Sequence, residues 1–169
     1  MTTVPFVAIF ALAWAALFVS PWISVALSLA NAAFVVRLFM IQHDCGHGAF
    51  FRNRRLNDWV GRAIGVVTLT PYDVWRRTHA IHHGATGNLD HRGTGDIPTL
   101  TVDEYRAKPL VGRVVYRVLR HPAFLFGIAP FYSFFLQNRL PVGLMRPGGR
   151  YRASALGTDV AMLGFVLAH

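Results

Sequence analysis

The stretch Trp22–Ile41, WISVALSLANAAFVVRLFMI, passes through Gln42 into HDCGH at His43–His47. Its twenty residues are interrupted only by Ser24, Ser28, Asn31 and Arg37. A helix rises about 1.5 Å per residue, so about 20 apolar residues cross a hydrocarbon layer of about 30 Å. This run has that length. Upstream, Val4–Val19 is a second apolar run, closed by Ser20-Pro21. It is slightly short for a span and would draw on Trp22 at the interface. Together, residues 4–41 predict a transmembrane helical hairpin that turns at Ser20-Pro21. Arg37 sits near the end of the second helix, where its stem can reach headgroup level.

Composition agrees with a membrane protein. Charged residues are 15% of the chain and hydrophobic residues 53%, whereas soluble domains carry about 25% charge. The formal net charge of +9 raises nucleic acid as a partner. The arginines, however, flank apolar runs and do not form a separate polar basic domain, so no nucleic acid is expected. Positive residues concentrate between Gln42 and Arg120, and the Ser20-Pro21 turn has none. The positive-inside rule then puts the turn outside and residues 42–120 in the cytoplasm. Cys45 is the one cysteine, which excludes an intrachain disulfide and cysteine-built zinc or iron–sulfur sites. It reads as a small buried side chain.

Five of the eight histidines fall in two boxes, His43-x3-His47 and His79-x2-His82-His83. Spacings of three and four place side chains on one helix face. Each box can therefore aim its imidazoles at one point, and His43, His47, His79, His82 and His83 read as metal ligands. Three imidazoles within five residues would repel one another if protonated, so they are best kept neutral by a shared metal. Gly46 and Gly48 are expected to leave room for another helix. Asp44 either orients a neighbouring imidazole or is a solvated acid. Trp75-Arg76-Arg77-Thr78 reads as an amphipathic basic turn facing lipid headgroups. Asn88, Asp90 and Asp96 read mainly as turn formers in the Gly84–Gly95 segment, and His91 and His121 as non-ligands.

Val60–Pro71 is apolar but too short to span, and is expected to be buried against the membrane face or re-entrant. Residues 122–136 hold Gly127 and Pro130 near their middle. If they crossed, Arg139, Arg146, Arg150 and Arg152 would lie outside, so an interfacial or re-entrant helix is expected. A further apolar helix begins near Ala153, giving a transmembrane start at 153–169. The fold class expected is all-α: an integral, multi-pass membrane protein, with a transmembrane hairpin and cytoplasmic or interfacial helices carrying the histidine boxes. Residues 1–169 then form one domain.

Five imidazoles exceed what one tetrahedral zinc needs, and nitrogen-rich ligation with room for more than one ion suits iron that activates oxygen. The site would lie where an acyl chain enters from the bilayer, so oxidation of a lipid chain is the chemistry expected.

HDCGHGAFF at His43–Phe51 and WRRTHAIHHGATGNLD at Trp75–Asp90 resemble the membrane fatty-acid desaturase family, and more closely its bacterial omega-6 or delta-12-like branch. The resemblance covers roughly the middle third of the chain specifically and the remainder loosely. It implies a helical membrane fold and a di-iron centre for which His43, His47, His79, His82 and His83 supply ligands. It also implies O2 as co-substrate, a fatty acyl lipid substrate, a ferredoxin or cytochrome electron donor, and residence in a bacterial inner membrane. No protein nucleophile is implied. The family has a third box of H-x2-H-H type after a further pair of spans, which His169 does not match. The chain is therefore expected to be part of a longer protein, with that box roughly a hundred residues beyond Leu167. Three alternatives remain open: a lipid hydroxylase or carotenoid ketolase of the same superfamily, an intramembrane zinc protease with His43-Asp44-x-x-His47 standing for H-E-x-x-H, and a non-enzymatic protein, either a membrane metal carrier or an inactive lipid-binding homologue.

Overall fold

A computed structural model describes residues 2–91, 97, 99–139 and 149–167. Asp96, Arg146 and His169, named above, lie outside them. Every regular element among the described residues is helical: α1 (Thr3–Ala16), α2 (Pro21–His47), α3 (Arg54–Val67), α4 (Tyr72–Ala85), α5 (Val102–Ala107), α6 (Leu110–Leu119), α7 (Phe124–Gln137) and α8 (Arg150–Leu167), with a short 3₁₀ turn at Leu89–His91. The chain divides into two compact units, Met1–Tyr72 with Thr158–His169, and Asp73–Gly157.

In the first unit α1 packs on α2 as a hairpin, and α3 packs on α2. Pro21 occupies the first turn of α2, where its missing N–H costs no helical hydrogen bond. With 27 residues, α2 is about 40 Å long, and it is the one described helix long and apolar enough to cross a membrane. Helix α1 stops at Ala16, three residues before the end of its apolar run, because Leu17–Val19 form a turn. At 14 residues it is about 21 Å long, below the span length expected for it.

The buried face of α2 is Ser24, Asn31, Leu38, Gln42 and Cys45, while Ile23, Val25, Leu29, Val36 and Met40 are exposed. Leu38 apart, polar and small groups thus point inward and aliphatic groups outward, the reverse of a helix on a water-soluble core. Helix α3 repeats the inversion: Asn57, Gly61 and Gly65 are buried, and Trp59 is exposed. The apolar Val60–Pro71 segment is therefore the end of a longer helix whose buried row is glycine and asparagine. A Cβ at Gly61 would overlap the Tyr72 ring, and one at Gly65 would fall 2.5 Å from the Thr70 carbonyl oxygen.

In the second unit α4 carries, directly after Tyr72, three consecutive buried residues, Asp73, Val74 and Trp75. Arg150 on α8 reaches the Asp73 carboxylate at 3.0 Å, and the Asp73 amide donates to Ser154 Oγ at 3.3 Å. Helix α7 changes pitch around Pro130. Turns with i→i+5 bonding cover Phe124–Ile128 and Ser133–Gln137, on either side of an α-helical Ala129–Tyr132. Proline supplies no N–H to the regular ladder, and widened turns are a common way to absorb that loss.

Candidate metal centre

The first box closes α2. Gly48 has φ +71°, its N–H donates to the Cys45 carbonyl, and the Ala49 N–H donates to the Asp44 carbonyl, each at 2.9 Å. These two bonds make a Schellman cap, and the left-handed residue after the helix is the one where glycine avoids a Cβ clash. The two glycines of the box were expected to admit a neighbouring helix. At Gly48 nothing lies within 4 Å of where a Cβ would be, so its function is to stop the helix one residue after His47. Close approach is seen at Gly61 and Gly65.

Behind the box lies a buried polar network. Gln42, fully buried, accepts from Thr68 Oγ1 at 2.6 Å and donates from Nε2 to the Thr70 carbonyl at 3.3 Å. Tyr72, also buried, places its hydroxyl 2.9 Å from the Cys45 carbonyl and 3.2 Å from an Asp58 carboxylate oxygen. Asn57 ties down the loop after the box: it accepts from the Phe51 N–H at 3.0 Å and donates to the Phe51 carbonyl at 2.7 Å. Buried amides and hydroxyls are retained when their partners are in place, and such networks hold the backbone to one arrangement. The His43–His47 turn is anchored from both sides.

On that turn the Nε2 atoms of His43 and His47 are 3.3 Å apart, with ring centroids 4.5 Å apart. His43 Nδ1 lies 3.3 Å from Asp44 Oδ1. A proton on Nδ1, directed at the carboxylate, leaves the Nε2 lone pair free for a metal, which is the usual way a carboxylate selects the ligating tautomer. Asp44 thus fits both of its expected descriptions, being half exposed and beside His43.

The second box has its own geometry on α4. His79 and His83 bring their Nε2 atoms to 3.0 Å, with centroids 4.4 Å apart and rings nearly perpendicular. Trp75 stacks on His79 at 4.6 Å and 17°. Trp75, His79 and His83 follow the i, i+4, i+8 row of the helix. Trp75 is 9% exposed and backs the His79 ring, on the apolar side of the amphipathic turn Trp75–Thr78. His82 stands off that row, its ring 6.1 Å from His79 and 5.7 Å from His83. The structure therefore brings together His43 with His47 and His79 with His83, and leaves His82 outside either facing pair.

Two nitrogens each about 2.1 Å from one ion are about 3.0 Å apart at a right angle and about 3.4 Å apart at a tetrahedral angle. Both facing pairs fall in that interval. The donor set fits a divalent transition metal held by imidazole.

The other candidates have local roles. Cys45 is 1% exposed, a small buried side chain as expected. Asn88 Oδ1 accepts from the Asp90 N–H at 2.9 Å, forming a turn. His121 Nδ1 accepts from the Ala123 N–H at 3.2 Å as the chain enters α7. Gln42, Asn57, Tyr72, Asp73 and Arg150 were not anticipated. For Gln42, Tyr72, Asp73 and Arg150 the signal is weak because each works through a partner distant in sequence, whereas Asn57 bonds to Phe51 six positions away.

Residues 20–169 match the family model described as fatty acid desaturase. The chain belongs to the fatty acid desaturase family. A fatty acid desaturase of Bacillus subtilis is 44% identical over 138 residues, covering 82% of this chain and 39% of that protein. An sn-1 acyl-lipid omega-3 desaturase (ferredoxin) of Nostoc is 33% identical over 134 residues, 76% of this chain and 35% of the relative. An sn-1 oleoyl-lipid 12-desaturase of Synechocystis is 33% identical over 84 residues, covering 50% of this chain and 23% of that relative. The chain thus spans well under half the length of these desaturases. No solved structure matches it.

Proposed function

We propose that this chain carries two of the histidine boxes of an iron- and oxygen-dependent acyl-lipid desaturase, which introduces a carbon–carbon double bond into an acyl chain. The observation that carries the reading is the pair of facing Nε2 contacts, 3.3 Å in His43/His47 and 3.0 Å in His79/His83, in a member of the desaturase family. His43, His47, His79, His82 and His83 would hold iron, and a full site of two iron ions would take further ligands from a third box. When bound, the iron with O2 supplies the oxidising power needed to remove hydrogen from adjacent methylenes.

The chain's own residues set the ligand geometry. Asp44 holds the His43 tautomer through Nδ1, and Trp75 holds the His79 ring plane. The Gln42–Thr68–Thr70 network and the Tyr72 hydroxyl fix the backbone beneath the first box, so that little reorganisation accompanies metal binding. Helix α2 would span the bilayer and carry the first box out on its cytoplasmic side, since its 27 residues exceed the length needed for the hydrocarbon layer. The inverted burial of α2 and α3 supports this setting. The 122–136 segment would lie at the interface. The electron donor would be a ferredoxin, as named for the Nostoc relative.

The test is metal and product analysis of the full-length protein containing this chain. About two irons per chain and unsaturated lipid products are expected. One zinc and peptide hydrolysis, or hydroxylated lipid with no new double bond, would overturn the reading.

A further inference from the structure

We propose that α3 lies along the bilayer surface on the side that carries the first histidine box, with one apolar side of the helix among acyl chains. This inference rests on the reading of α2 as a spanning helix, and every residue it uses belongs to the first unit.

Helix α3 has three sides. Asn57, Gly61 and Gly65, four residues apart, form the row buried against the protein. Leu56, Trp59, Ala63 and Val67, at i, i+3, i+7 and i+11, form a second row. All four are exposed, Trp59 at 69%. Arg55 and Arg62, seven residues apart, run along one edge of that row, and the Arg62 guanidinium stands 5.6 Å over the Trp59 ring. A helix facing water would have the buried and the open row exchanged.

The place where α3 meets α2 indicates what covers the open row. Just past the end of α3, Thr68 Oγ1 donates to Gln42 Oε1 at 2.6 Å, and a Cβ on Gly65 would lie 3.5 Å from Gln42 Nε2. Gln42 is five residues past Arg37, about 7.5 Å along α2. Helix α3 therefore packs at the level to which the Arg37 stem reaches, the headgroup boundary. Val36 and Met40, on the adjoining turns of α2, are 61% and 51% exposed. The apolar surface of the spanning helix extends to the level of α3, and acyl chains that cover one reach the other.

Charge fits the same occupant. Between Asp44 and Asp58 the sequence has three arginines, Arg52, Arg54 and Arg55, and no acidic residue. All three are exposed at the start of α3, where lipid phosphate meets positive charge. An indole such as Trp59 is a side chain enriched at the bilayer boundary. The open row runs the length of α3, from Leu56 in the first turn to Val67 at its last residue, with Arg62 between them. A limb dipping into the leaflet would carry Arg62 down with Ala63 and Val67. A helix parallel to the surface keeps the row at one depth and leaves Arg62 at the boundary.

The experiment places a nitroxide at Leu56→Cys, Ala63→Cys or Val67→Cys in the full-length protein containing this chain, freed of other reactive cysteines. The vesicles are phosphatidylcholine with about one-quarter phosphatidylglycerol. These positions are exposed, so the label displaces no packed side chain. Collision with oxygen reports lipid contact, and collision with a nickel chelate reports water. All three labels are expected to show an oxygen-to-nickel ratio at least about fivefold above that of a label at Arg54→Cys. Their depths should agree to within about 4 Å, although Leu56 and Val67 are about 16 Å apart along the helix. Nickel access at the three positions overturns the proposal. So does occlusion from both reagents, which means that protein covers the row, or a depth that grows by more than about 10 Å from Leu56 to Val67, which means that α3 dips. A label at Leu29→Cys, a position 72% exposed on α2, decides the spanning reading separately, through lipid contact or water.

Discussion

The two histidine boxes reach nearly the same nitrogen geometry on differently supported helices. The first sits in the last turn of a 27-residue helix, above Gln42, Asn57 and Tyr72, all essentially buried and hydrogen-bonded to backbone carbonyls or neighbouring side chains. The second sits inside a 14-residue helix and depends on an aromatic stack from Trp75, with an ion pair between Asp73 and Arg150 at the helix start. In the first box the backbone is held and the side chains follow from it. In the second a side chain holds another side chain. Perturbing the support should therefore change folding at the first box and metal affinity at the second.

The largest effects should be common to both boxes and would break the comparison if they were not. Alanine at His43, His47, His79 or His83 in the full-length protein is expected to lower desaturation at least 100-fold, or about two orders of magnitude, with loss of bound iron. An alanine at one box that leaves iron and activity intact would remove that box from the centre.

Next come the polar anchors of the first box. Asn57→Ala strips the Phe51 amide and carbonyl of their partner and should cost about 2 kcal/mol, read as a lower unfolding midpoint in detergent. Tyr72→Phe removes the hydroxyl at the Cys45 carbonyl, which still receives the Gly48 N–H, and should cost about 1 kcal/mol. Trp75→Leu sharpens the contrast. It keeps an apolar side chain at a buried position but removes the stack on His79, so iron affinity should fall about tenfold with a smaller change in the unfolding midpoint. Equal loss of stability from Trp75→Leu and Asn57→Ala, with no change in iron affinity, would erase the distinction.

The smallest effects concern two helix ends of the same design. After α3, the Thr70 N–H reaches the Gly65 carbonyl at 2.8 Å and the Leu69 N–H reaches the Val66 carbonyl at 3.4 Å, the same bond pattern that closes α2. The left-handed position is Gly48 in one case and Leu69, at φ +57°, in the other. Gly48→Ala should destabilise by about 1 kcal/mol. Leu69→Gly relieves a similar backbone cost but loses side-chain packing, so its unfolding midpoint should move by less than that of Gly48→Ala.

Much of the site was legible because ligand chemistry is written locally. His43/His47 and His79/His83 are i, i+4 pairs, and helical spacing alone brings such rings together. His82 shows the limit of that reasoning, since it shares the motif but stands off the row. The expectations that failed concerned surroundings. Gly48 was expected to admit a helix and instead caps one. Trp75 was read only as part of an amphipathic basic turn, and its ring stacks on His79. Within the apolar Val60–Pro71 segment, Gly61 and Gly65 continue a buried row begun by Asn57, which hydropathy could not single out. Gly48 caps through bonds to its own helix and Trp75 stacks within α4, so among these only Gly61, against the Tyr72 ring, is decided by a neighbour on another element.

The sequence by itself determined the all-helical class, the apolar run long enough to span, the two boxes and the family, because these depend on composition and on spacings of a few residues. Only the tertiary structure decided which polar residues are buried as anchors. Gln42 meets Thr70 across 28 positions and Asp73 meets Arg150 across 77. Helical periodicity relates residues within one helix and carries no information about which residue of another helix will complete a hydrogen bond. That choice belongs to packing.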